Sequence, residues 1–163
     1  MSRRCARLAA AVALSAASCA ACAQVGCTVS AAPLNFGAYD ALSPVETTVN
    51  GGITLDCTLL SPGGAGRVSY RIALSQGSGS FAQRRMPRAG GGDELSYNAY
   101  WQSVSAARVW GSGAPGTVVA SGSVSVPRNG RSLTEPMIGV IPALQPVGAG
   151  TYTDTLIVTV TYD

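Results

Sequence analysis

Histidine is absent from this 163-residue sequence, and so is lysine. Without His the usual general base is missing, and neither a Ser–His–Asp nor a Cys–His arrangement can be built. Charge is scarce, at 12% of residues, and aromatic side chains make up 6%. No internal stretch reaches the roughly 18 apolar residues that a membrane-spanning helix needs. No glycine-rich phosphate motif leads into a helical pattern. Asp93 and Glu94 are adjacent, so on a strand they would point to opposite faces, which is poor geometry for a shared carboxylate site. These absences argue against an enzyme.

What is present begins with a leader. "MSRR" supplies positive charge, "LAAAVALSAASCA" is a short apolar run, and Ala21-Cys22-Ala23 fits a small-x-small cleavage pattern. Residues 1–23 therefore read as a secretory signal peptide, cut between Ala23 and Gln24, with a mature domain at 24–163. A lipidated Cys19 or Cys22 is the other reading, but neither has a Leu three residues before it. Arg3, Arg4 and Arg7 leave with the leader. The remaining arginines then equal the 8 acidic residues, and the formal charge of +3 disappears. A basic patch for nucleic acid is not supported. Of the 5 cysteines only Cys27 and Cys57 lie beyond the leader. Two cysteines in an exported chain read as one disulfide. Two thiols without any His cannot complete a zinc site, and no metal or cofactor is expected.

The mature part is rich in Gly, with Val, Ile, Thr, Ser and Tyr in short runs. "GCTVSA" can start a strand. "LNFGAYD" reads as a short extended piece broken by Gly37. "GITLDCTL" alternates, with Ile53, Leu55, Cys57 and Leu59 on one face. In "VSYRIALS" the inward set is Val68, Tyr70, Ile72 and Leu74. "SPGGAGR" is a loop. "QGSGSFAQRRMPRAGGGDE" reads mostly as loop, with Arg84, Arg85 and Arg88 in water. "LSYNAYW", "TVVASGSVSVP" and "MIGVIP" are further strand pieces. The Trp and Tyr residues read as core or loop packing rather than a sugar platform. Seven or eight short strands without a helical pattern predict an immunoglobulin-like β-sandwich. The last piece, "GTYTDTLIVTVTYD", is a turn and a strand whose core face carries Leu156, Val158, Val160 and Tyr162. Nothing follows it to cover its next edge.

Six stretches carry a family resemblance. They are "CTVSAAPLNFGAYD", "GGITLDCT", "YRIALSQG", "RRMPRAGGGDELSYNAYW", "VWGSG" and "GTYTDTLIVTVTYD", in that order and with both cysteines in place. In these the chain resembles the spore coat protein U domain family, which includes pilins of archaic, Csu-type chaperone–usher systems. It departs from the pattern at Trp101-Gln102 and at Ser112, where acidic residues are common. The resemblance implies an incomplete sandwich lacking its final strand, completed by a donor strand laid beside the C-terminal strand. The groove residues would be Leu156, Val158, Val160 and Tyr162. It implies a periplasmic chaperone, an outer-membrane usher and neighbouring pilin subunits as partners. It further implies export through the periplasm to the cell surface, and a role in adhesion and biofilm formation. Between the cleavage point and Cys27 stand only Gln24, Val25 and Gly26, too few for a donor strand of roughly ten residues. The expectation is a subunit that accepts a strand and terminates the fibre. A free-standing secreted coat protein is the alternative.

Overall fold

The computed structural model describes residues 24–61 and 66–163, and the expected leader lies outside them. Eight strands follow in order: β1 (Val25–Ala32), β2 (Thr47–Leu59), β3 (Gly66–Leu74), β4 (Arg84–Pro87), β5 (Glu94–Trp101), β6 (Ala120–Val126), β7 (Arg131–Ile141) and β8 (Val158–Tyr162). A single 3-10 turn at Ala106–Arg108 is the one helical element among the described residues.

Two antiparallel sheets result, one ordered β1-β2-β7-β5-β4 and the other β6-β3-β8. The alternation in sequence explains which faces meet. In β3, Val68, Tyr70, Ile72 and Leu74 are buried while Arg67, Ser69 and Arg71 are exposed. In β2, Ile53, Leu55 and Cys57 point the same way into the core. Trp110 is fully enclosed between the sheets, and its indole N–H donates to the Ile72 carbonyl at 3.0 Å. The fold is the expected immunoglobulin-like β-sandwich.

Cys27 and Cys57 face each other across β1 and β2 and are joined by a disulfide, with Cα atoms 4.0 Å apart. Close Cα spacing is what the non-hydrogen-bonded positions of an antiparallel pair provide. Among the described residues, β1 has β2 as its one strand neighbour, and β8 has β3.

One sequence expectation needs correction. The stretch Gln76–Glu94 is mostly loop, as expected, but Arg84–Pro87 within it forms β4 against β5. Arg84 is not in water, because its side chain is 0% exposed. Alternation explains this, since Arg84 and Met86 point inward while Arg85 and Pro87 point outward. Strand propensity in this run is weak, and pairing with β5 overrides it.

Direction along the sheets matters for the site. Successive antiparallel neighbours make β1 and β4 run the same way. Arg88, just past β4, pairs antiparallel with Tyr152. The segment around Tyr152 therefore runs opposite to β1.

Candidate functional site

A groove of about 1010 Å³ lies between two stretches of chain. One wall is Ala31–Ala41, leaving the end of β1. The other is Val147–Val158, leading into β8. The floor is apolar and includes Ile53, Leu74, Leu95, Tyr97, Met137 and Ile141.

The first wall is seated by side chains rather than by a ladder. Leu34 and Phe36 lie over Gly139 of β7, where a Cβ would come within 2.7 Å of both. Phe36 also meets the Tyr97 ring edge-on, with centroids 5.9 Å apart. The Tyr39 hydroxyl donates to the Pro142 carbonyl at 2.9 Å and accepts from the Gln145 N–H at 2.9 Å. No backbone–backbone hydrogen bond links Pro33–Tyr39 to another described segment. Apart from the Gly37 N–H, which donates to Asn35 Oδ1 at 3.2 Å, this wall is an edge whose backbone donors and acceptors are left open among the described residues.

The second wall is paired on one side only. The Ala89 N–H donates to the Thr151 carbonyl at 2.8 Å, and the Thr153 N–H to the Pro87 carbonyl at 3.3 Å. Further along, the Ser75 N–H donates to the Ile157 carbonyl at 3.0 Å, and Ser69 and Asp163 exchange backbone bonds. This fixes the phase of the ladder. The odd-numbered residues from Ile157 to Asp163 turn their backbone groups toward β3, so Leu156, Val158, Val160 and Tyr162 turn theirs to the open side.

The sequence-derived groove residues separate into two groups. Leu156 and Val158 line the groove. Val160 is half-buried against the core but lies beyond the groove's end. Tyr162 is 40% exposed, because it pairs with Tyr70 outside the stretch enclosed by the first wall. Val29, on the inward phase of β1, is also 45% exposed, as befits an edge with nothing across from it. Leu34, Phe36 and Tyr39 form a wall that the sequence reading did not identify. Their spacing in "LNFGAYD" was the available signal.

Behind the groove lie two buried polar clusters. Arg84 donates to the Ser75 carbonyl from Nε at 3.2 Å and Nη2 at 2.8 Å, to the Trp110 carbonyl at 2.6 Å, and to Asn98 Oδ1 at 2.6 Å. Burial lowers its guanidinium from its ordinary value. Glu135 joins the sheets by accepting from the Tyr70 hydroxyl and, at 2.7 Å, from the Trp101 indole N–H.

Burial, followed by the bond to Glu135, raises the Tyr70 phenol well above its ordinary value. Burial, followed by the bond to Asp154, does the same for Tyr97. Both phenols stay protonated in the folded chain at pH values where they ionise when unfolded. Their contribution is present in full below about pH 10 and is lost as pH rises beyond it. In an alkaline absorbance titration, Tyr70→Phe and Tyr97→Phe should each delete one late-ionising phenol. A wild-type titration with all phenols ionising together near the free value contradicts this.

The family model described as the Spore Coat Protein U domain matches residues 11–159. The chain is similar to Protein U of Myxococcus xanthus, 32% identical over 152 residues, which is 85% of this chain and 76% of that protein. Among solved structures it is similar to the CsuC–CsuE chaperone–tip adhesion subunit pre-assembly complex from archaic chaperone-usher Csu pili of Acinetobacter baumannii. That match has a TM-score of 0.53 and 22% identity, and it covers 84% of this chain and 40% of the other. The chain thus spans well under half of that solved chain, and the likeness is one of fold.

Proposed function

The chain belongs to the spore coat protein U domain family, and from that premise we propose that it is a secreted structural subunit of a chaperone–usher pilus or surface fibre. It takes an extended strand from a partner into the groove between Ala31–Ala41 and Val147–Val158, and serves adhesion and biofilm formation. It is a structural protein rather than an enzyme. The observation that carries this reading is the pair of facing edges with free backbone groups above an apolar floor. An exposed edge beside uncovered core invites uncontrolled pairing, so a dedicated partner strand is the physical remedy. The CsuC–CsuE complex, by its description, holds a pilus subunit with a chaperone, which supports a chaperone as partner; an outer-membrane usher and neighbouring subunits are the further partners in this reading.

Residues 1–23 are the export leader in this reading. With cleavage after Ala23, Val25 and Gly26 are already engaged in β1 opposite Leu59 and Thr58. No free donor then remains ahead of Cys27, and the subunit ends a fibre rather than extending it.

The test is periplasmic production of residues 24–163 with and without a co-produced chaperone of this pilus class. Soluble yield and mass by size-exclusion chromatography are the readouts. A one-to-one complex, with little protein recovered alone, is expected. A stable monomer recovered alone, indifferent to any added strand peptide, sinks the reading in favour of a free-standing coat protein.

A further inference from the structure

Asp154 lies in the "GTYTD" stretch, midway along the second wall of the groove. Its Oδ2 accepts from the Tyr97 hydroxyl of β5 at 2.7 Å. Its Oδ1 accepts from the Ser78 N–H at 3.0 Å, the Ser78 hydroxyl at 2.9 Å and its own neighbour Thr155 N–H at 2.8 Å. No described Arg lies within ion-pair distance of it. The turn beneath is shaped around the carboxylate. Gly77 has φ +64°, and a Cβ there would overlap the Asp154 oxygens. Three residues on, the Ile157 N–H donates to Ser75 Oγ at 2.9 Å.

Between Thr153 and Ile157 this wall has no backbone–backbone bond to a neighbouring described segment. A stretch with one open edge and so few ladder bonds frays or folds onto apolar floor unless something else fixes it. We propose that Asp154 is a positioning residue for strand uptake, holding Gly150–Ile157 at strand spacing from the opposite wall before any strand arrives. This rests on the reading of the groove as a strand acceptor.

The consequence is kinetic. If the wall is set correctly only part of the time, the apparent association rate falls by that fraction. Once a strand is inserted, its own ladder holds the wall, so dissociation is spared. The experiment uses the exported chain and a fluorescent synthetic peptide of about ten residues alternating Val and Thr. Binding and release are followed by anisotropy. Asp154→Ala should associate about tenfold more slowly and dissociate within about twofold of wild type. Asp154→Asn, which keeps an acceptor for Ser78, should fall between. Association at the wild-type rate, or a loss seen only in dissociation, overturns the role of Asp154 while leaving the groove reading intact. A wild-type chain that takes up no peptide overturns the groove reading, and this proposal with it. Should Asp154→Ala not be recovered folded, Tyr97→Phe removes a single donor and carries the test, with association about threefold slower expected. Equal rates for that variant overturn the proposal.

Discussion

Arg84→Met should cost the domain about 4 kcal/mol, to be read from the shift of the urea unfolding midpoint. Arg84 is 0% exposed, and its guanidinium ties the Ser75 carbonyl, the Trp110 carbonyl and the Asn98 side chain into one node. Truncation takes this donor from the Ser75 and Trp110 carbonyls in a space closed to solvent and leaves Asn98 Oδ1 with the Ala99 N–H alone, and each such loss costs about 1–3 kcal/mol. Arg84→Lys recovers little, because an ammonium is a point charge and does not reproduce the planar fork that meets three acceptors. Arg85→Met is the control. Arg85 is exposed and pairs with Glu94 at 2.5 Å, a surface contact worth at most about 1 kcal/mol. Equal costs for Arg84→Met and Arg85→Met would refute the node.

Loss of the Cys27–Cys57 bond should cost about 3.5 kcal/mol in the chain-entropy account of a closed loop, given a sequence separation of 30. Its second effect is on the groove. β1 is an edge strand held by β2 alone, and the Pro33–Tyr39 wall continues from it. Releasing the cross-strand bond loosens the base of that wall. Cys27→Ser/Cys57→Ser should therefore lower the urea midpoint and also weaken capture of the strand peptide. Capture unchanged at a temperature where the variant remains folded shows that Leu34, Phe36 and Tyr39 seat the wall without the disulfide.

These two cases mark where the sequence was readable. Cys27 and Cys57 could be paired by elimination, because the other cysteines fall in the expected leader. The β2 and β3 cores followed from strict alternation, since a one-residue slip would reverse every side chain. Arg84 and Arg85 are neighbours of one type, and composition cannot separate them. Only the pairing of β4 with β5 decides which one turns inward. The groove was half legible. Leu156 and Val158 came from the period of the last strand. Tyr162 has the same period but lies past the groove's end, which periodicity cannot locate. The opposing wall depends on Leu34 and Phe36 resting on Gly139, a contact more than a hundred positions away in the chain. The role of Asp154 is not legible in the sequence, because its partners, Ser78 and Tyr97, sit on other elements.

The opposed directions of the two walls have a consequence for polarity. Any strand lying between them runs parallel to one and antiparallel to the other, whichever end enters first. The backbone ladders alone do not choose between the two orientations. The choice falls to side chains: which residues of the incoming strand meet Leu34 and Phe36 on one side, and Leu156 and Val158 on the other. Two partners could thus occupy the same groove head-first and tail-first, with one replacing the other by better-fitted side chains rather than by more hydrogen bonds.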